Sequence, residues 1–196
     1  MRRCIALLAL LALPLLGGCG YNRIQALDER SEELKSNIGV QLTARNQLIP
    51  NLVATVQGAA EFERGTFTEV AQARAGLQQA QSQVDQAVRA GDAERMAAAD
   101  ATLTRQIGTF INVAVEAYPQ LRATQNFQAL QDQLAESENR IAVARQDYNE
   151  SVRQYNTYIR QFPQAMTARL IGAGRKEPYQ APAGVEEPPR VEFGGG

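Results

Sequence analysis

Few side chains in this chain of 196 residues are suited to covalent or acid–base chemistry. It has no His, the commonest general base and transition-metal ligand. A Ser or Lys nucleophile needs a preorganised neighbour, and no motif for one appears. There is no phosphate-cradling P-loop and no dinucleotide glycine fingerprint. Helical di-metal centres use inward Glu residues with Glu-x-x-His pairs. Here Glu136 and Glu138 stand two apart, so they cannot share one inward helix face, and they read as a solvated face. No catalytic, cofactor-binding or metal-binding residues are expected, and a non-enzymatic role is the leading reading. A hydrolase or metal-dependent enzyme acting on envelope substrates is the alternative.

The chemistry that remains is at a thiol. Both cysteines, Cys4 and Cys19, fall within the first twenty residues. Arg2 and Arg3 form a positive start, and Ile5 to Leu16 form an apolar run of about 12 residues, short of the roughly 20 that span a bilayer as a helix. The run ends in Leu16-Gly17-Gly18-Cys19, which resembles the lipobox of bacterial lipoproteins. That resemblance implies a signal peptide over residues 1–18 and acylation of Cys19, with palmitate among the chains. It implies a membrane-anchored lipoprotein on the periplasmic side. Gly20, rather than Asp, after the Cys favours the outer over the inner membrane. An ordinary signal or membrane anchor with an incidental Cys is the other reading. Without Arg2 and Arg3 the chain has 18 basic against 21 acidic residues, a net of −3, which is no footprint for nucleic acid. The expected partners are membrane lipid, through Cys19, and an unidentified protein.

These features need a scaffold, and the apolar periodicity supplies an all-α one. From Thr124 to Phe162 the chain has no Pro or Gly, and Phe127, Leu130, Leu134, Ile141, Ala144, Tyr148, Val152, Tyr155 and Ile159 recur at helical steps. A stripe of that length needs other helices beside it. Three are available. The first spans about Asn22 to Glu61, with a kink expected at Pro50. The second starts at a Thr66/Glu69 capping box and ends near Arg89. Gly91 and Asp92 then cap its end and start the third, which Pro119 stops after Tyr118. The expected fold is an antiparallel up-and-down four-helix bundle over residues 19–163 with long first and fourth helices. A short amphipathic segment, 164–171, and a disordered Pro/Gly-rich tail, 172–196, follow it.

In the heptad register of Ile24, Leu27, Leu34 and Ile38, Gln41 and Arg45 also fall on core positions. With the first and fourth helices antiparallel, Arg45 arrives level with Ser137 and Glu138. The expectation is a buried polar layer in which Arg45 pairs with Glu138 and Gln41 satisfies a remaining acceptor. Arg45 lying along the groove to reach water is the other outcome. Tyr148-Asn149 and Tyr155-Asn156 repeat at a spacing of seven, as core tyrosines with hydroxyls at the edge or as a partner surface. Phe162 to Ile171 would return to the membrane end and lie at the lipid interface. The tail's Pro188 to Phe193 alternates as an added strand would, or is solvated.

The chain resembles the LemA family. The match is carried by Tyr21-Asn22, Gln41-Leu42, Arg45, Leu48-Ile49-Pro50-Asn51-Leu52-Val53, Glu116-Ala117-Tyr118-Pro119-Gln120-Leu121 and Asn126-Phe127. It continues through Glu138-Asn139-Arg140-Ile141-Ala142, Ala144-Arg145, both Tyr-Asn pairs and Phe162-Pro163. The resemblance implies an antiparallel helical bundle attached to a membrane by its N-terminus, and no reaction. Family members usually resemble proteins with an uncleaved N-terminal membrane helix and a cytosolic bundle, and the lipobox departs from that pattern. A lipid-anchored interaction module follows as the leading function, and a self-assembling coiled coil is a further alternative.

Overall fold

The computed structural model describes the backbone of residues 2–62 and 68–180 and the side chains of 20–59 and 68–180. Among these residues the regular structure is helical, with no strand. The elements are α1 (Arg2–Asn46), α2 (Ile49–Phe62), α3 (Thr68–Ala90), α4 (Ala93–Ala117), a 3-10 turn (Pro119–Ala123), α5 (Gln125–Tyr158) and α6 (Gln164–Leu170). Cys19 lies on α1, outside the residues whose side chains are described; Thr66 of the expected capping box and the 188–193 segment lie outside the described residues. Among the described residues no helix is long and apolar enough to cross a membrane.

Pro50 breaks the first helix where a kink was expected. Proline has no N–H, so the carbonyl of Asn46, four residues back, loses its helical donor. α1 ends at that residue, Leu48 N–H turns back to the Arg45 carbonyl at 3.0 Å, and α2 restarts at Ile49. The freed Asn46 carbonyl accepts from Gln81 Nε2 of α3 at 3.1 Å. Asn46 Nδ2 returns bonds to Gln81 O at 3.3 Å and Asp85 Oδ1 at 2.7 Å. The joint is therefore bonded across to α3. Ile49, Leu52, Val53 and Val56 then bury one face of α2.

Gly91, at φ +64°, closes α3, and Asp92 caps α4 by accepting from the N–H groups of Glu94 and Arg95 at 3.0 and 3.1 Å. This two-residue connection folds α3 back against α4. The α3 face is lined mainly by alanine, with Ala73, Leu77, Ala80, Val84 and Ala87 buried. Small side chains let the helices approach closely: a Cβ on Gly76 would meet Gln106 Oε1 at 2.8 Å. α5 has 34 residues, about 51 Å at 1.5 Å each. It ends at Tyr158, short of the expected Phe162.

The chain divides into two compact units. The first comprises residues 1–36 and 146–178, the second 37–145 and 179–196. In the first, Ile24, Leu27, Tyr155, Ile159 and Ala168 form a core cluster, with Tyr158 and Ala173 packed against it. In the second, the core includes Ile38, Leu42, Leu77, Leu103, Phe110 and Phe127. The disordered tail expected from Gly172 does not begin there. Residues 172–180 are an extended strap, because they carry side chains and backbone groups that the helices bind, as described below. Residues 181–196 lie outside the described ones.

Candidate functional site

The second unit holds a buried charge layer. Arg45 projects from the last turn of α1 and is 2% exposed. Its Nη1 reaches Glu138 Oε2 of α5 and donates to Thr104 Oγ1 at 3.1 Å, and its Nη2 reaches Asp100 Oδ1 of α4. Asp100, 1% exposed, also takes Arg145 Nη2 and accepts from the Tyr179 hydroxyl at 3.2 Å. Arg145 stands 3.6 Å from Glu138 Oε1 and 5.5 Å from the Tyr179 ring centroid, a cation–π distance. Two guanidiniums thus face two carboxylates, and the layer is formally neutral. Burial alone would depress the Arg145 guanidinium, but attraction to Asp100 and its other neighbours together outweighs it and holds the group above its usual range. Burial, followed by the charge of Asp100, pushes the Tyr179 phenol well above the usual tyrosine range, so it stays a neutral donor.

Of the residues the sequence marked out, the structure brings Arg45 and Glu138 together. Gln41 is a correction: it is half-buried, and its Nε2 bonds Asn37 Oδ1 at 3.4 Å, one turn back on its own helix. The other donors near Glu138 and the second carboxylate come from elsewhere. Asp100, Arg145 and Tyr179 are the functional residues that sequence reasoning missed. A signal for Asp100 existed, since it lies on the Met96–Leu103–Ile107 stripe of α4, four residues after Met96 and three before Leu103.

The first unit holds a clamp on the strap. Asn156 donates from Nδ2 to the Lys176 carbonyl at 2.8 Å and accepts from the Lys176 N–H at 2.9 Å. Tyr148 donates to the Glu177 carbonyl at 3.0 Å. Lys176 Nζ meets Asp28 at 3.0 Å and Glu32 at 2.7 Å, and lies 5.4 Å from the Tyr155 ring centroid. The Glu32 carboxyl, which burial would raise, is held low by Lys176 and Lys35. Three members of the repeated Tyr-Asn pairs therefore serve a partner surface, and the partner is this chain's own strap. Among the described residues no group of three or more His, Cys, Asp or Glu side chains is placed to hold a metal ion.

The chain is similar to three magnetosome proteins. It is 28% identical to Magnetosome protein MamQ 2 and to MamQ 1 of Paramagnetospirillum magneticum strain AMB-1, over 181 residues. It is 25% identical to Magnetosome protein MamQ of Magnetospirillum gryphiswaldense. Each match covers 84% of this chain, and the chain spans 66% of the length of these relatives. Residues 34–193, which include the charge layer and the strap, match the LemA family throughout, and the chain belongs to that family.

Proposed function

We propose that this protein is a lipid-anchored helical module of the cell envelope that acts by presenting a folded surface to a protein partner, without catalysis. The observation that carries this reading is the closure of the charge layer. Arg45, Asp100, Glu138, Arg145 and Tyr179 engage one another. Groups so engaged position helices and are not poised to attack a substrate. The scaffold is an up-down-up-down four-helix bundle, supported by the α3–α4 connection and by Arg45 reaching both α4 and α5. The anchor is an acylated Cys19 on the periplasmic side, at the outer membrane, supported by the order of charge, apolar run, small residues and Cys. Similarity to proteins named for the magnetosome fits a part in an assembled structure better than a part in a reaction.

Cells expressing the wild type or Cys19→Ala, fed labelled palmitate and then cross-linked, test both halves of the reading. The wild type incorporates label and cross-links to a distinct protein, and Cys19→Ala takes no label and accumulates as precursor. An unlabelled wild type removes the anchor. Hydrolytic turnover by the purified chain, dependent on a stoichiometric metal, would restore the enzyme alternative.

A further inference from the structure

α6 packs beside α1 at Gly20 and Ile24. Its Ala168 is buried in the cluster of Ile24, Leu27, Tyr155 and Ile159. A Cβ on Gly20 would lie 3.6 Å from Thr167 Oγ1 and 3.7 Å from Gln164 Cγ. Gly20 is one helical step, about 1.5 Å of rise, from Cys19. With Ala168 facing inward, the apolar residues of this corner face outward. Phe162 is 82% exposed, Met166 65% and Leu170 89%. They follow one another at intervals of four, and Met166 and Leu170 share one face of α6. Large exposed apolar groups on one helix face, with another just before the helix, mark a contact surface. The segment that carries it is basic, between Glu150 and Glu177. Residues 151–176 contain Arg153, Arg160, Arg169, Arg175 and Lys176 and no Asp or Glu. Arg153 pairs with Glu150 and Lys176 with Asp28 and Glu32, which leaves Arg160, Arg169 and Arg175 exposed on the same segment.

We infer that the face formed by Phe162, Met166 and Leu170, on the same segment as Arg160, Arg169 and Arg175, rests on an anionic bilayer surface beside the acylated Cys19. The inference builds on the anchor reading. Two features select lipid over a second copy of the chain. The face adjoins the point of attachment, so acyl chains entering the bilayer at Cys19 bring it to the headgroups. Its basic segment would repel its own copy, whereas anionic headgroups attract it. Apolar residues with flanking arginines are the composition of interfacial anchors.

The chain contains no Trp, so one introduced Trp is a sole reporter. Leu170→Trp and Glu29→Trp, both at exposed positions, are made in the full chain and purified from membranes. Each is reconstituted on vesicles of phosphatidylcholine with a quarter phosphatidylglycerol, with or without brominated acyl chains. Glu29 lies nine residues beyond Gly20 on α1, about 13.5 Å. The expected result is that both variants float with the vesicles, and that the emission of the Leu170→Trp protein shifts to the blue and is quenched several-fold by bromine. Emission of the Glu29→Trp protein is unaffected, and adding Met166→Glu to Leu170→Trp removes most of the quenching. Flotation of the Leu170→Trp protein without quenching overturns the inference and leaves the anchor standing. Failure to float overturns both. A blue shift that grows with protein concentration in micelles and ignores brominated lipid assigns the face to a second copy and overturns the inference.

Discussion

Asp100 is buried against two guanidiniums and a phenol hydroxyl. Desolvating a carboxylate and a guanidinium is expensive, and their attraction offsets this only with good geometry and further hydrogen bonds. Asp100 has several partners: two guanidiniums and the Tyr179 hydroxyl. Glu138, with 36% of its side chain exposed, keeps much of its hydration. The two partners of Arg45 should therefore differ in weight. Asp100→Asn should cost about 3–5 kcal/mol in urea unfolding, because it takes the buried carboxylate away from the buried Arg45 and the half-buried Arg145, whereas Glu138→Gln should cost under about 1 kcal/mol. Double-mutant cycles with Arg45→Met should give a larger coupling to Asp100 than to Glu138; equal couplings would contradict this account. The level of Arg45 against Glu138 was legible because helical rise and heptad phase are arithmetic on residue number. Gln41 was misread because the same arithmetic puts Asn37 one turn away, and a short local bond competes with a cross-helix one. Asp100 was hidden by its chemistry: within an alanine run, a carboxylate on the apolar stripe reads as a break in the pattern rather than as its centre.

Two elements turn on backbone groups that sequence periodicity does not register. At the first joint, Gln81 replaces the donor that Pro50 lacks. Gln81→Ala should destabilise by about 1–3 kcal/mol, the range for an orphaned buried acceptor. In a Pro50→Ala background the same change should cost less, since the alanine restores an N–H in register with the Asn46 carbonyl. Thermal or urea midpoints of the four proteins check this, and additive effects would rule out the exchange of donors. The unbroken phase of the apolar stripe across Pro50 suggested a kink because side-chain period is blind to a missing N–H. The strap poses the same difficulty. Residues 172–180 have no period, and what orders them is Asn156 reading the Lys176 backbone at both its N–H and its carbonyl. Two bonds at about 1 kcal/mol each imply that Asn156→Ala raises the open population about tenfold or more. Trypsin cleavage after Arg175 and Lys176 should accelerate by that factor at unchanged global stability. No acceleration would mean that Tyr148 and the Lys176 ion pairs hold the strap without Asn156.

At the scale of the molecule the question is whether the helices satisfy one another or leave a seam for more copies. A self-assembling coiled coil needs an exposed apolar stripe at steps of three and four sustained over several heptads. The stripes read from the sequence are used inside the chain: Ile38, Leu42, Leu52, Leu77, Leu103, Phe110 and Phe127 are all buried. Among the described residues the large exposed apolar side chains are Tyr21, Val40, Val143, Phe162, Met166, Leu170 and Ile171. Val40 and Val143 stand singly on their helices, with no exposed large apolar neighbour three or four residues away. Phe162 to Ile171 covers only about two turns, too short for a coiled-coil seam. The helical body should therefore be monomeric once that face is removed. Light scattering of the Met166→Glu/Leu170→Glu protein, corrected for bound detergent, should give one chain per particle, at most 21.4 kDa, across a tenfold range of concentration. Wild type in the same detergent should match it, because micelles cover the face as a bilayer would. A dimer or larger particle in the double variant would revive the self-assembling alternative, since its interface would then have to be built from polar faces or from residues beyond those described.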